Sequence, residues 1–275
     1  MKAAVIQTRA STNRGLNLER VFRQLEEAAA MKAKLVVLPE YFAFLRLRGS
    51  DPIPAEPLKG PTFQYLSQQA RRLNIWLVGG SFYQKTDGPK AYNTSLLIDN
   101  QGRLVDYYQK IHLATANPGA QNAFDESRYL KFGRRQWVRS TVIGNLGLAI
   151  CYDLRFPEVT RSLRLKGAQV VAAPSSFFIA AGKSQWHALI RARAIENQCY
   201  MLVAGQWGEY APNRQAFGFS MIIGPNGETL AESGDEAGVL CADINLKKVE
   251  ESRGVMDYLA QSRMTPKTIP IRRAD

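Results

Sequence analysis

Apolar and polar positions alternate along the chain with two different periods. Residues 3–7 form a short, continuous apolar run, which is typical of a buried strand. Over residues 16–33, Leu18, Val21 and Leu25 recur at spacings of three and four, which predicts an amphipathic helix. The same two patterns predict further helices over 62–73, near 159–167 and over 186–197, and further strands over 34–40, 75–82, 168–176 and 199–207.

Three stretches have the pattern of a β-hairpin, in which two runs of β-forming residues flank a turn. They cover 93–110, 137–151 and 219–233, and the first and last share an Asn-containing turn that ends in glycine. With the helix pairs between them, they predict two similar αβ halves around two sheets, because a doubly wound single sheet would lack so many hairpins. No linker divides the chain, so we expect one domain over 1–250. A polar, basic tail over 251–275 would either pack against a partner subunit or be loosely held.

The composition is that of a globular protein with an ordinary core, since 45% of the residues are hydrophobic and 22% are charged. The formal net charge is +12, but the lysines and arginines are scattered and adjoin only in short pairs such as Arg134-Arg135. Nucleic-acid-binding proteins usually gather these residues into one face or tail. We therefore expect a solvated basic surface and no nucleic-acid partner, although the same charge would equally attract small anionic substrates.

The cysteines and histidines are too few and too separated to indicate a bound group. Cys151, Cys199 and Cys241 form no CxxC pair, and the only histidines are His112 and His187. We expect no disulfide framework, no metal site and no cofactor, with Cys199 and Cys241 in the core. The N-terminus lacks a signal-peptide pattern, and no window of about 20 apolar residues could span a membrane. These features predict a cytoplasmic protein without a membrane partner.

Three residues with reactive side chains stand directly after strand-like runs. Glu40 follows an apolar run that Pro39 ends, Lys110 ends the hairpin over 93–110, and Cys151 ends the next hairpin. Catalytic groups favour such positions because a rigid sheet holds them while the strand ends stay accessible. A free thiol has a pKa of about 8.5, so it needs a base or a nearby cation. Taken singly, each residue is equally typical of an exposed charge or of the core, and a lone His112 is typical of a structural hydrogen-bonding residue.

Taken together, the three segments resemble a known family. The stretches VVLPEYF (36–42), YQKIHL (108–113) and AICYDLRFPE (149–158) are similar, in order and spacing, to the three signature segments of the nitrilase (carbon–nitrogen hydrolase) superfamily. The resemblance continues through RARAIENQCY (191–200) and PNGETLAES (225–233), so it covers nearly the whole chain. It implies an α/β fold, a four-layer α-β-β-α sandwich of two pseudo-equivalent halves. It also implies a homodimer or higher homo-oligomer.

The resemblance implies a role for each matching residue. Glu40 would be the general base that takes the thiol proton of Cys151 as sulfur attacks an amide carbonyl. Lys110 would place positive charge beside the developing oxyanion, with the backbone N–H of Tyr152 as a second donor. Glu126 falls on the second glutamate of the family and would orient Lys110 and the substrate; as a lone residue it could equally be a helix cap or a surface acid.

Within the superfamily, the wording of these segments is similar to the Nit branch of small-molecule amidases. This implies hydrolysis of a linear, carboxylated carboxamide to an acid and ammonia, as in the deaminated glutathione amidases. The alternatives are an ω-amidase acting on α-ketoglutaramate or α-ketosuccinamate, an N-carbamoyl hydrolase or a nitrilase. An αβ module that binds an anion or nucleic acid without catalysis is a further alternative, which salt-sensitive DNA binding would favour.

Three residues are candidates for substrate binding. Arg155 could bind a substrate carboxylate or instead lock the turn after Cys151 by pairing with Glu158 or another acid. Ser175 and Trp186 are the other candidates, although an indole such as that of Trp186 is more often a packing group. Residues 185–187 read Gln-Trp-His where Nit-branch proteins commonly have His-Trp-Glu, and the loop over 177–187 is expected at the mouth of the pocket.

Overall fold

The computed structural model describes residues 1–46, 52–116, 124–211 and 214–263. Within these ranges the α-helices are α1 (Arg14–Ala30), α2 (Pro61–Leu73), α3 (Pro157–Leu165), α4 (Ile179–Asn197) and α5 (Leu246–Val255). The strands of the first half are β1 (Lys2–Gln7), β2 (Leu35–Val37), β3 (Trp76–Val78), β4 (Phe82–Gln84), β5 (Tyr92–Ile98), β6 (Leu104–Gln109), β7 (Thr115–Ala116) and β8 (Phe124–Asp125). Those of the second half are β9 (Val138–Thr141), β10 (Gly144–Leu148), β11 (Val170–Ser175), β12 (Tyr200–Gly205), β13 (Trp207–Ala211), β14 (Arg214–Phe217), β15 (Met221–Ile223), β16 (Thr229–Glu232) and β17 (Gly238–Asp243).

The strands form two large sheets with the same internal plan. The first has the order β17-β1-β2-β3-β5-β4, with β6 also paired to β5, and the second has the order β16-β15-β12-β11-β10-β9. In each sheet three parallel strands are joined by helical crossovers, namely β1-α1-β2-α2-β3 and β10-α3-β11-α4-β12. An antiparallel hairpin then extends each sheet, β5-β6 in the first and β15-β16 in the second. The predicted pair of similar αβ halves is therefore present.

Strand β1 explains why the sequence is apolar at each position from Ala3 to Ile6. Ala3 and Val5 belong to the core between the two sheets, whereas Ala4 and Ile6 belong to the core beneath α1 and α2. Successive side chains of a strand point to opposite faces, so a strand buried on both faces has a continuous apolar run. On the second sheet, α3 and α4 pack through buried residues such as Leu163, whose side chain lies against Gly147 of β10. The predicted four-layer α-β-β-α sandwich is confirmed.

Several elements differ from the sequence-based prediction. Helix α4 begins at Ile179, seven residues before the predicted start, so the predicted loop over 177–187 is mostly the first turns of this helix. Gly182 makes this possible, because a Cβ there would lie 2.1 Å from Cγ of Phe217 on β14. The predicted strand over 75–82 is shorter, and the chain leaves β3 at Val78.

The C-terminal part contains elements that the apolar pattern did not predict. The ribbon β13–β14 and strand β17 are additional, and β17 returns to pair antiparallel with β1 in the first sheet. Helix α5 lacks a regular apolar stripe because Val249 is its only buried residue, and it continues past residue 250 to Val255. No helix within the described ranges is both long and apolar enough to cross a bilayer.

Candidate active site

Glu40, Lys110 and Cys151 converge on one cavity of about 690 Å³. Each follows the end of a strand, β2, β6 and β10 respectively, as the sequence predicts. The first two strands belong to one sheet and β10 belongs to the other, so the cavity lies where the two halves meet. Tyr41, Tyr83, Glu126, Tyr129, Tyr152, Arg155, Ser176, Phe177 and Gln185 also line it.

Cys151 occupies a sharp turn at the end of the second hairpin. It opens a 3₁₀ turn over Cys151–Arg155, and its own φ is +48°, in the left-handed region. For a residue with a Cβ this conformation costs about 1–2 kcal/mol and persists only where the surrounding structure holds it. The side chain is 7% exposed, and the backbone N–H of Ser176 donates a 3.5 Å hydrogen bond to Sγ.

Lys110 is buried between two carboxylates. Its Nζ lies 3.0 Å from Oε1 of Glu40 and 2.8 Å from Oε2 of Glu126, and its side chain is 1% exposed. Burial alone would lower the pKa of Lys110, but Glu126 and Glu40 outweigh it and raise that pKa well above its ordinary value. An ammonium has three N–H donors, so one remains for a ligand in the cavity.

The carboxylate of Glu40 uses one oxygen for structure. Oε1 accepts from Lys110 and also from Nδ2 of Asn93 at 2.8 Å, whereas no nitrogen or oxygen among the described residues donates to Oε2. Nε2 of Gln206 donates to the Glu40 carbonyl at 2.9 Å, which ties this strand end to the other sheet. Burial, helped by Glu126 and opposed by Lys110 and Cys151, raises the pKa of Glu40.

Glu126 is part of the same network and is 3% exposed, unlike a surface acid. It begins a short 3₁₀ turn, Glu126–Arg128. Its Oε2 accepts from Lys110 and from the backbone N–H of Ala114 at 2.7 Å, and Tyr41 donates to its Oε1 at 3.4 Å. The Lys110 ammonium is thus oriented from two sides.

The surroundings of Cys151 favour a protonated thiol. Burial and the negative charge of Glu40 raise its pKa well above the ordinary value, and Lys110 and the N–H of Ser176 offset this only in part. Such a thiol becomes a strong nucleophile only if a base removes its proton during attack. Glu40 is a carboxylate whose raised pKa suits proton transfer, and its Oε2 is available.

Arg155 lies in the cavity. Its Nη1 donates to Oε1 of Gln185, and its guanidinium lies 5.0 Å from the ring centre of Phe177 and 5.6 Å from that of Tyr152. Among the described residues it pairs with no acid, so the alternative pairing with Glu158 is not formed. The guanidinium therefore presents an unneutralised charge to the cavity.

The structure does not bring Ser175 or Trp186 to the cavity wall. Ser175 is still inside β11, is fully buried and donates to the carbonyl of Ala173, while the next residue, Ser176, lines the cavity. Trp186 is 1% exposed and donates from Nε1 to the carbonyl of Phe219 at 2.6 Å. Its indole packs edge-on against Phe177, which does line the cavity.

The unusual residues around Trp186 have separate environments. Gln185 lines the cavity and holds Arg155, whereas His187 pairs with Glu232, Nε2 to Oε1 at 2.6 Å, away from the lining residues. The segment over 177–187 therefore does reach the cavity, through Phe177 and Phe178 before α4 and through Ala181 and Gln185 on one face of that helix. His112 does not line the cavity, and its ring stacks on Phe156 with centroids 3.7 Å apart.

Asn93 is a site residue that the sequence did not predict. It stands at the start of β5, directly opposite Lys110, whose N–H bonds to the Asn93 carbonyl at 2.9 Å. A hairpin drawn from its turn would pair Asn93 with Gln109. In the structure Val105 is an extra residue of β6 between the pairs Ile98–Leu104 and Leu97–Asp106, and this bulge shifts the register by one. Tyr41 and Gln206 are also site residues that the sequence did not predict, because their contacts arise only from the tertiary fold.

No group of three or more His, Cys, Asp or Glu side chains within the described ranges is arranged to hold a metal ion. The cavity instead combines a buried Glu–Lys–Glu network with a thiol at a strained turn, on an α-β-β-α sandwich. A set of this kind offers a nucleophile, a base and a fixed positive charge, which are the groups that acyl transfer requires.

The chain belongs to the carbon-nitrogen hydrolase family, whose sequence profile matches residues 2–254. It is 36% identical over 261 residues to the deaminated glutathione amidase of Synechocystis sp. (strain PCC 6803 / GT-S), covering 94% of this chain and 96% of the relative. It is 34% identical over 262 residues to the omega-amidase NIT2 of Homo sapiens, covering 95% of each.

A solved structure agrees with these relatives. The crystal structure of Saccharomyces cerevisiae Nit3, a member of branch 10 of the nitrilase superfamily, superposes with a TM-score of 0.84 at 31% identity. The match covers 96% of this chain and 97% of that one. The resemblance seen in the sequence is thereby confirmed, and the protein is a hydrolase that acts on amides.

Proposed function

We propose that this protein is a cysteine-dependent amidase that hydrolyses a linear, carboxylated carboxamide to a carboxylic acid and ammonia. The observation that supports this most directly is the Lys110 ammonium held between two buried carboxylates in the cavity that Cys151 lines. Deaminated glutathione is the leading candidate substrate. The ω-amides of α-keto acids, such as α-ketoglutaramate, are the alternative, since relatives bearing both names match over nearly the whole chain.

The first half of the reaction forms a thioester. Oε2 of Glu40 takes the thiol proton of Cys151 as Sγ bonds to the amide carbon, and the carbonyl electron pair moves onto oxygen. The remaining N–H of Lys110 and the backbone N–H of Tyr152 stabilise this oxyanion. When the intermediate collapses, the C–N bond breaks, and protonated Glu40 gives its proton to the nitrogen, which leaves as ammonia.

The second half releases the acid. The Glu40 carboxylate takes a proton from a water molecule as the water oxygen attacks the thioester carbon. The C–S bond then breaks, and the protonated Glu40 returns its proton to the sulfur of Cys151. Glu126 touches no reacting atom in this scheme; it holds the Lys110 ammonium in place, which is a positioning role.

The substrate class follows from the cavity. A volume of about 690 Å³ exceeds what a simple short amide would fill, so an extended substrate is favoured. Arg155 offers a guanidinium that Gln185 orients, and arginine is well suited to bind a carboxylate through two hydrogen bonds. Arg46 and Arg128 also line the cavity, and Arg128 pairs there with Asp125 at 3.8 Å.

The deciding experiment is ammonia release from four substrate classes: deaminated glutathione, α-ketoglutaramate, an N-carbamoyl amino acid and a simple nitrile. We expect kcat/KM to be highest for deaminated glutathione and at least about tenfold lower for the nitrile and the carbamoyl compound. A higher value for α-ketoglutaramate would favour the ω-amidase alternative. Ammonia release that persists in the Cys151→Ala variant, or none from any amide, would refute the proposal.

We further propose a homodimer that uses the ends of α3, α4 and α5. The C-terminal segment packs here through an ion pair between Arg164 and Asp257 and a hydrogen bond from Gln198 to the Met256 carbonyl. Large apolar side chains are exposed near the ends of α3 and α4 and from the end of α5 onward, at Leu165, Ile195, Val255, Met256 and Tyr258. Exposed apolar side chains that come together are typical of a protein interface. The segment after residue 250 would then contribute to the contact.

Sedimentation velocity tests the dimer. The wild type should sediment as a dimer at micromolar concentration, and Met256→Glu should shift it toward the monomer because a charge would be buried at the interface. Met31→Glu, at the exposed residue that caps the C-terminus of α1, is the matched control and should not dissociate the dimer. A wild-type monomer would refute the proposal. A cytoplasmic location is a further expectation, supported by three cysteines that are all free thiols.

A further inference from the structure

The carboxylate of Asp153 is completely buried and accepts four hydrogen bonds. Oδ1 accepts from the backbone N–H of His112 at 2.9 Å and lies 2.9 Å from Nδ1 of the same residue. Oδ2 accepts from the hydroxyl of Tyr108 at 2.8 Å and from the backbone N–H of Ile150 at 3.0 Å. Asp153 lines no part of the cavity, so it does not touch a substrate there.

The four donors come from both sides of the active site. Tyr108 and His112 stand two residues before and two residues after Lys110, and Ile150 immediately precedes Cys151. One carboxylate therefore joins the strand end that carries Lys110 to the turn that carries Cys151. These two segments belong to different sheets, and the joint lies directly behind the two reactive side chains.

We propose that Asp153 is a positioning residue that sets the separation between the Lys110 ammonium and the Cys151 thiol, with His112 and Tyr108 as its donors. This inference rests on the proposed function for the roles of Lys110 and Cys151. It adds a role for three residues that do not contact the substrate, and it accounts for a histidine that the catalytic scheme does not use.

The conformation of Cys151 explains why these hydrogen bonds to Asp153 are needed. Its φ of +48° is unfavourable for any residue with a side chain, so the turn keeps this shape only if its neighbours hold it. The bond from the Ile150 N–H to Asp153 closes the turn on one side of the cysteine. The stacking of the His112 ring on Phe156, at an interplanar angle of 10°, fixes the donor on the other side.

The hydrogen-bond donors to Asp153 can be removed one at a time. Variants can therefore distinguish a positioning role from a contribution to stability alone. Tyr108→Phe deletes one hydroxyl, and His112→Leu deletes the ring donor but keeps the backbone N–H. His112→Asn places an amide nitrogen where Nδ1 stood and should restore the bond. Tyr200→Phe is the matched control, since it too deletes one tyrosine hydroxyl. That hydroxyl donates to the carbonyl of Asn245 at 3.0 Å, and Tyr200 does not line the cavity.

The variants are compared by kcat and KM on the best amide substrate, by the rate of Cys151 alkylation with iodoacetamide at pH 7.5, and by Tm. We expect Tyr108→Phe and His112→Leu to lower kcat by about 10- to 100-fold, because a displacement near 1 Å can have that effect, with KM within about twofold. Alkylation should slow by about threefold or more, since a thiol further from Lys110 is less readily ionised. His112→Asn should recover most of kcat.

Two results would overturn this inference. One is a fall in Tm with kcat and alkylation rate unchanged, as expected for Tyr200→Phe, which would make the network merely structural. The other is a His112→Asn variant as slow as His112→Leu. The alkylation rate is measured without substrate, so it tests this inference whichever amide is the substrate. Failure of the proposed function would be recognised separately, by ammonia release from Cys151→Ala.

Discussion

The Lys110 ammonium lies 3.0 Å from the Glu40 carboxylate, although the two residues are 70 positions apart and each is at most 2% exposed. The ion pair uses only Oε1 of Glu40, which also accepts from Asn93. The two oxygens of one carboxylate therefore have different roles, one structural and one available for proton transfer. A buried pair of this kind must be complete to be stable, because a lone charge in such a place is costly.

Replacing Cys151 by alanine should abolish ammonia release, because no other nucleophile in the scheme replaces the thiol. The free energy of unfolding should change by less than about 1.5 kcal/mol, since the lost side chain is small and faces a cavity. Steady-state assays and urea denaturation measure the two quantities. Cys241→Ala, at a half-buried cysteine on β17, is the control and should keep full activity. Residual turnover in Cys151→Ala would exclude this nucleophile.

Replacing Glu40 by glutamine should lower kcat by about 10²- to 10⁴-fold, the range typical of general acid–base catalysis. In the wild type, kcat/KM should rise with pH as Glu40 loses its proton. Because burial raises the pKa of Glu40, the midpoint of that rise should lie above the ordinary glutamate value of 4.5. A pH–rate profile of both enzymes measures this. If the rise of kcat/KM with pH survives in Glu40→Gln, the titrating group is a residue other than Glu40. Glu250→Gln, at an exposed acid on α5, is the control and should match the wild type.

Replacing Lys110 by methionine should destabilise the protein by about 3–5 kcal/mol, because Glu40 and Glu126 would be left as buried carboxylates without their cation. Removing Lys110 takes away an effect that lowers the pKa of Glu40, so that pKa rises further. An acid with a raised folded-state pKa favours folding at low pH, and this contribution is lost as pH rises through that pKa. The deficit should therefore be smaller at pH 5 than at pH 8.

Urea denaturation of Lys110→Met and the wild type at both pH values measures the deficit. Lys248→Met is the control, because Lys248 forms an exposed and long ion pair with Glu228, 3.9 Å, and should cost less than about 1 kcal/mol. A deficit for Lys110→Met that is independent of pH would argue that the two carboxylates do not take up a proton.

Replacing Arg155 by methionine should raise KM for a carboxylated amide by about 10- to 100-fold, since a charge-assisted hydrogen bond contributes roughly 1.5–3 kcal/mol. The KM for a neutral amide of similar length should change little. Comparing kcat and KM for the two amides separates binding of the carboxylate from damage to the turn that carries Cys151. Arg191→Met, at an exposed arginine on α4, is the control. An equal loss for both amides would make Arg155 structural.

Much of the fold was predictable because burial leaves a clear pattern. The apolar runs of β1, β2 and β11 and the stripe of α1 recur with the periods of strand and helix. The apolar pattern did not predict elements that bury few residues or that depend on one close contact. Helix α5 buries a single valine, and the first turns of α4 depend on the contact of Gly182 with Phe217. Neither feature produces a regular apolar period.

The candidate site shows the same division. Glu40, Lys110 and Cys151 could be proposed from the sequence because each follows a strand-like run, and strand ends gather at sheet edges. Asn93 could not, because a bulge in β6 shifts the pairing by one residue. Ser175 was proposed instead of Ser176, because the sequence does not show at which of the two residues β11 ends.

The chemical groups at the strand ends and the apolar faces can be deduced from the sequence, since both depend on local order and periodicity. The way the two sheets pack establishes which oxygen of Glu40 is held by Lys110 and that Asp153 bonds to donors from both sheets. It also establishes that Arg155 faces the cavity beside Gln185. Contacts of this kind join residues that are distant along the chain, and their geometry follows from how the two sheets pack rather than from any local preference.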